Sequence, residues 1–185
     1  QAFAVFNGAR PRPVHIELPI DVMLADAGHL ALPAPVAMTR PGPDAAAVAQ
    51  AAGWLAAAAR PVILAGGGAQ RADVAALAER LDAPVVMTTN ARGLLPPGHP
   101  LAVNLSASMP ATRALIAGAD VVLAVGTEFG PTDYDMYEDG GFALPGRLIR
   151  VDIDPGQIAR GTGAALGIVA DAGLAVAALT AALPA

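Results

Sequence analysis

The sequence predicts an α/β fold: a doubly wound, six-stranded parallel sheet with helices on both faces, Rossmann-like in plan. Three observations carry this. Short, wholly apolar runs at residues 62–64 and 121–125 suit strands that are buried on both faces. Stretches with helical spacing lie between such runs, a βαβ rhythm that implies parallel strands joined by right-handed crossovers. The first run ends in Gly66, Gly67 and Gly68, where the backbone can turn sharply because no Cβ is in the way.

Composition sets the bounds. At 185 residues and 55% hydrophobic content the chain fits one domain, or one domain with a piece of another, and has ample material for a core. A formal net charge of −5 with 11 Lys and Arg, and no basic run with interleaved aromatics, argues against a nucleic-acid surface or a basic membrane-binding face. The absence of cysteine excludes disulfides, thiolate metal sites and a cysteine nucleophile, and it fits a reducing, cytoplasmic setting. The opening shows no charged-then-apolar leader, and the alanine-rich stretches are too short and too weakly apolar to span a bilayer.

The first thirty residues read as the end of something else. A helix-like piece over residues 1–10 precedes RPRPVHIELPIDV, in which Val14, Ile16 and Leu18 alternate with His15 and Glu17, a strand pattern that Pro19 stops. A lone strand needs a sheet, so residues 1–30 are expected to be the tail of a preceding domain. Residues 31–43 are proline-rich with little periodicity and read as a semi-rigid linker, leaving 44–185 as the main domain.

Asp44 caps a helix to about residue 59, with Val48, Ala52 and Leu55 on one buried face and Trp54 beside it. The strand at 62–64 and the glycine turn follow. A second helix is expected over 72–81 with Val74, Leu77 and Leu81 inward, then a strand over 85–88. NARGLLPPGHP is a turn-rich loop, residues 110–118 a helix, and 121–125 the most apolar strand, preceded by Asp120. It is followed by a second glycine-bearing loop, Gly126 to Gly130, and by PTDYDMYEDGGFALPG. Strands five and six are expected at 148–153 and 167–170, and a closing helix at 172–183. In six-stranded doubly wound order, strands one and four are neighbours at the switch point, so Gly66–Gly68 and Gly126–Phe129 face each other over one crevice.

The chemistry-bearing residues admit structural and functional readings together. The glycines match only part of G-x-G-x-x-G: Arg71 stands where the third glycine belongs, and Thr88, Thr89 and Asn90 supply no carboxylate after the next strand. His15, His29 and His99 are too scattered for a metal site and read as structural. Asp133, Asp135, Glu138 and Asp139 lack the calcium-loop pattern and read as a solvated loop or partner contact. Ser106 and Ser108 lack a G-x-S-x-G context. Asp152, Asp154 and Asp171 end strands five and six, where a carboxylate accepts ribose or adenine hydrogen bonds; equally, Asp154 and Asp171 cap the helices that follow. A catalytic set and a metal set are both absent from these readings.

PVHIELPIDV with its proline linker, then RPVILAGGG, APVVMTTNARGLLPPGHPL, GADVVLAVGTEF, LIRVDIDPGQI and IVAD, resembles the central domain of thiamine-diphosphate enzymes of the acetolactate synthase type. The resemblance covers nearly the whole chain, and six motifs in the correct order make it specific. It implies that residues 1–30 close an amino-terminal pyrimidine-binding domain. The loop GPTDYDMYEDGGF resembles the decarboxylase branch acting on guanidino-oxopentanoate.

In that family the cofactor-activating glutamate lies upstream of this region and the metal-diphosphate motif G-D-G with its paired asparagine lies downstream. The resemblance therefore implies a noncatalytic scaffold domain of a decarboxylase, lyase or synthase. Its parent binds thiamine diphosphate and magnesium through the pyrimidine- and diphosphate-binding domains, as a cytoplasmic homo-oligomer. Flavin-binding members lay FAD along this domain, which by position implicates Gly66, Gly67 and Gly68 near the diphosphate and Asp152, Asp154 and Asp171 near the adenosine, with Gly126 and Thr127 completing the cofactor-binding set. Other members bind an adenine nucleotide there or nothing. Glu128 departs from the pattern, since flavin-binding members place an arginine in that loop. A glycine turn at a helix N-terminus favours a diphosphate and Glu128 opposes it. The alternative is a free-standing nucleotide-binding or regulatory module.

Overall fold

Strands form where the sequence is apolar enough to be covered twice. The computed structural model describes residues 2–28, 30–34, 36–134, 144 and 146–184. The chain divides into two units, residues 1–40 and 41–185.

In the first unit, α1 (Ala2–Gly8) and the single turn α2 (Ile20–Met23) bury no residue. Phe3 and Phe6 meet edge to face at 6.2 Å along α1. Residues 14–18, whose alternation predicts a strand, are not one: Val14, Ile16 and Leu18 are exposed and join no ladder. The physical reason lies in the flanks. Pro11, Pro13 and Pro19 carry no N–H, and a strand without a partner edge is not stable alone. The proline-rich residues 31–43 form no helix or strand where described.

The second unit is built on six parallel strands: β1 (Pro61–Ala65), β2 (Val85–Met87), β3 (Ala102–Val103), β4 (Val121–Val125), β5 (Arg147–Asp152) and β6 (Leu166–Val169). Their order is β3-β2-β1-β4-β5-β6, the doubly wound order expected from the sequence. β1 and β4 pair along their whole length, from Pro61 opposite Val121 to Ala65 opposite Val125. The period-2 rule then sorts the core into two layers. Ile63, Ala65, Leu123, Val125, Ile149 and Val151 face α3 (Ala45–Ala56), α4 (Val74–Leu81) and α8 (Ala172–Ala182). Val62, Leu64, Val122, Ala124 and Leu148 face the other way, toward Ile116 of α5 (Pro110–Ala117), toward Phe129 and toward Tyr134 of the single turn α6 (Pro131–Tyr134). Covering both faces leaves all five residues of β1 and of β4 buried, at about 1.5–3 kcal/mol for each large aliphatic side chain.

The helices start where their caps are. Asp44 accepts from Ala47 N at 2.9 Å ahead of α3, as the sequence predicts. The second helix begins at Val74, two residues later than its expected start, because Asp73 caps it by accepting from Ala76 N at 3.1 Å. The third strand of the expected order, which no apolar run marks, is the two-residue edge β3, half-buried. Among the described residues no helix is long and apolar enough to cross a membrane.

One carboxylate ties the lower edge of the central pair. Asp120, just ahead of β4, accepts from Ala59 N at 2.7 Å and from Arg60 N at 3.0 Å, in the connection from α3 to β1. The Ala59 amide bond chiefly, with the Arg60 bond after it, holds the Asp120 carboxyl below its ordinary value of 3.8, against partial desolvation. A folded-state value below the unfolded one gives stability that is present above the unfolded value and lost as pH falls through the folded one. Asp120→Ala is therefore expected to lower Tm by a few degrees at neutral pH. The gap to the unsubstituted protein should close as pH falls below 3.8, as read by thermal melts across the acid range. A gap of constant size would show that the carboxylate charge is not what matters there.

Candidate functional site

The crevice expected at the switch point is present. It has a volume of about 560 Å³ and is walled by Gly66–Gly68 on one side, by Gly126–Glu128, Gly130, Thr132 and Asp133 on the other, and by Thr89 and Asn90 after β2. The sequence reading placed Gly66, Gly67, Gly68, Gly126 and Thr127 together, and here they meet.

What brings them together is backbone touching backbone. A Cβ on Gly66 would lie 2.2 Å from Gly126 O and 2.6 Å from Thr127 Cα, and one on Gly126 would lie 2.7 Å from Gly68 Cα. Gly126 also has φ +57, a left-handed conformation open to glycine at little cost. Three amides of the turn are engaged within the protein: Gly66 N donates to Val125 O at 2.9 Å, Gly68 N to Gly126 O at 3.0 Å, and Ala69 N to Gly66 O at 3.0 Å. The glycines seal the two loops together, and the donors that a phosphate needs are largely taken.

The amino end of α4 lies away from the glycine turn. The glycine turn leads into a 3₁₀ turn at Gly67–Ala69, whereas α4 starts at Val74 with the Asp73 carboxylate already on its amino end. The expected turn at a helix N-terminus is thus displaced from the helix it was to share, and a carboxylate holds the position a phosphate would take. Gln70 donates through its side-chain amide to the Asn90 carbonyl, tying the turn to the segment after β2.

The charged side chains of the described lining are acidic. The exposed Glu128 and the half-buried Asp133 line it, and Asp133 Oδ1 accepts from Thr89 N at 3.2 Å across it. Arg71 and Arg92 are not among the lining residues. Arg71 lines a separate depression of about 710 Å³ between α4 and α8, and Arg92 Nη1 donates to Asn104 O at 3.0 Å.

Of the three strand-end acids, Asp154 and Asp171 cap the helices that follow, and Asp152 holds the loop after β5. Asp152 accepts from Asp154 N at 2.9 Å; Asp154 accepts from Gly156 N at 2.9 Å and caps α7 (Pro155–Ile158). Asp171 accepts from Gly173 N at 3.0 Å and Leu174 N at 3.2 Å, capping α8, and it borders the α4/α8 depression. None of the three lines the crevice. His99 is structural as well: its Nδ1 accepts from Leu101 N at 3.2 Å, so Nε2–H is the proton directed at Glu79, 3.1 Å away. Among the described residues no group of three or more His, Asp or Glu could hold a metal ion. His29, Asp135, Glu138 and Asp139 lie outside the described residues.

Behind the second wall sits a cluster that a reading of the sequence missed. Arg150 of β5 is 1% exposed and stacks on Phe129, its guanidinium carbon 4.7 Å from the ring centre. Phe129 packs on Tyr134 with centroids 5.2 Å apart, and the buried Tyr134 hydroxyl meets Thr127 Oγ1 at 2.9 Å. Burial lowers the Arg150 pKa, opposed by the Asp152 carboxylate; burial raises that of Tyr134, which stays protonated. The available signal was the lone arginine in LIRVDI, which shares strand parity with the inward Leu148.

Comparison with known proteins follows the same outline. The family described as thiamine pyrophosphate enzyme, central domain, matches residues 48–179. A probable 2-ketoarginine decarboxylase of Pseudomonas aeruginosa is 48% identical over 160 residues, which is 84% of this chain and 28% of that protein. A probable acetolactate synthase large subunit of Methanocaldococcus jannaschii is 34% identical over 184 residues, 92% of this chain and 31% of that protein. The chain thus spans about three-tenths of the length of these relatives. In structure, the benzoylformate decarboxylase of Polynucleobacter necessarius superposes with a TM-score of 0.70 over 89% of this chain and 32% of its own, at 23% identity, a likeness of fold.

The glycine contact separates a packing role from a ligand role. Gly66→Ala should cost about 3 kcal/mol or more in denaturant unfolding, because the new methyl meets backbone that cannot move aside. Gly130→Ala and Gly163→Ala, with no atom within 4 Å of the added Cβ, should stay within about 0.5 kcal/mol. Equal costs at all three would remove the close approach as the reason for Gly66.

Proposed function

The chain belongs to the family of thiamine pyrophosphate enzyme central domains, and from that premise we propose that it is a noncatalytic scaffold domain of a longer decarboxylase. One observation carries the reading. The groups able to do chemistry at the carboxyl edge of the sheet are engaged in holding the fold: Asp152, Asp154 and Asp171 on amides that follow them, Asp133 on Thr89 N, and the glycine-turn amides on Val125 and Gly126. Thiamine diphosphate, with magnesium, would bind to pyrimidine- and diphosphate-binding domains outside this chain and supply the carbanion-stabilising chemistry. The residues here contribute spacing and orientation to those domains. The 48% identity to a 2-ketoarginine decarboxylase supports a 2-oxo acid with a guanidino group as the parent substrate. A cytoplasmic homo-oligomer is the setting carried over with the family likeness.

Residues 1–30 then belong to the preceding domain and 31–43 to a linker, ahead of the central domain at 44–185. The exposed apolar side chains Ile16, Leu18, Ile20 and Leu24 support this, since they suit a surface supplied from elsewhere in the parent. Removing residues 1–40 should leave the Tm of the remainder within about 2 °C. Loss of a cooperative transition would move the boundary.

The residues present do not fit FAD or an adenine dinucleotide. Its diphosphate would meet engaged amides and the Glu128 and Asp133 carboxylates, with no arginine among the described lining residues. In titration the chain should bind FAD no more tightly than about 10 μM, and submicromolar affinity overturns this reading. Glu128→Arg should tighten binding only about 2–5-fold, because the position is exposed and screened. With added thiamine diphosphate and magnesium, the chain alone should release no carbon dioxide from a 2-oxo acid. Turnover in that assay would sink the scaffold reading.

A further inference from the structure

The crevice wall formed by the loop after β4 is held from behind by one side chain that also holds a second segment. Arg150 Nη2 donates to Thr127 O at 3.2 Å, while Nη1 donates to Arg160 O at 2.8 Å and to Ile158 O at 3.4 Å. The same guanidinium lies against the Phe129 ring. We propose that Arg150 is the positioning residue of this wall, and that through it the conformation of Thr127–Phe129 is coupled to that of the turn Ile158–Gly161.

Rigidity and burial produce this coupling. A guanidinium is planar with its donors in a fixed fork, so displacing the acceptors on one prong tilts the plane and misdirects the other. Arg150 is 1% exposed, so water cannot replace a lost partner and the whole group must follow. Phe129 makes the wall sensitive to such a shift. Its φ of +54 is a left-handed conformation that a non-glycine residue keeps only when its surroundings hold it, and its ring packs against Arg150 and Tyr134. The other prong ends at chain that can be reached from outside: Ala159, Arg160 and Gly161 are exposed, and Gly161 closes the turn with φ +74. A contact made at that turn is thereby transmitted to the crevice, and the reverse holds equally. The coupling does not depend on which ligand the crevice accepts.

Amide hydrogen exchange on the full chain tests this. Gly161→Ala strains the turn without a steric clash, since no atom lies within 4 Å of the added Cβ. It should raise exchange at Phe129 and Gly130 by about fivefold or more while leaving β1 and β2 unchanged. Arg150→Met should raise exchange at both segments, and Gly161→Ala should then add nothing at Phe129. Arg150→Lys keeps the charge but not the fork, so it should behave as Arg150→Met does. Unchanged exchange at Phe129 in Gly161→Ala overturns the proposal. So does an effect of Gly161→Ala that persists without Arg150, or one spread over the whole sheet, or full rescue by lysine. Should Arg150→Met fail to fold, Gly161→Ala alone and in the Arg150→Lys background decides by the same criteria.

Discussion

The structure depends on the contact between two backbones where β1 and β4 end. Gly66 and Gly68 lie so near Gly126 and Thr127 that no side chain fits between them, and their amides donate across the seam to Val125 O and Gly126 O. That closeness lets the strands stay paired to their last residues. It sets the depth of the crevice, whose walls begin where the loops finally diverge. It also fixes where Thr127 and Phe129 emerge, and so where the buried cluster around Arg150 can form. Moving the seam by the width of a methyl group would shift the whole carboxyl edge of the sheet.

How much of this could be read from the residues follows from how locally each feature is encoded. β1 and β4 were legible because a strand covered on both faces has to be apolar throughout, a signal that survives without knowing its neighbours. β3 was not, since a two-residue half-buried edge strand needs no apolar run and is defined by its pairing with β2. The alternation at residues 14–18 forms no strand in this chain for the opposite reason. Periodicity reports which side chains could share a face, but a strand exists only where another edge supplies hydrogen bonds. The start of α4 turned on one side chain, Asp73, that the apolar spacing does not register.

The candidate site shows the same division more sharply. The glycines were found and their meeting foreseen, yet a glycine needed for close backbone approach and a glycine needed to admit phosphate are identical in sequence. The acids at the strand ends are ambiguous because a carboxylate ahead of a helix suits a cap and a ribose equally well; the local amides show that Asp154 and Asp171 cap. Arg150 was missed because a charged residue inside an apolar strand has no place in a binary pattern. Its compensation comes from carbonyls at Thr127, Ile158 and Arg160 and from the Asp152 carboxylate, whose positions belong to the tertiary structure.

The placement of β1 at the centre of the sheet also governs the order in which the fold can assemble. Its neighbour β2 is supplied by the next crossover, but the other edge waits for β4, and the Asp120 carboxylate that accepts from Arg60 N follows it by 60 residues. At a ribosomal rate of about 5–20 residues per second, that edge stands unpaired for about 3–12 seconds during synthesis. Throughout that interval an apolar strand with open hydrogen-bonding groups is offered to any other chain nearby. A domain so constructed relies on escaping wrong pairings while it is being made, and the crevice, needing both halves, is among the last features to exist.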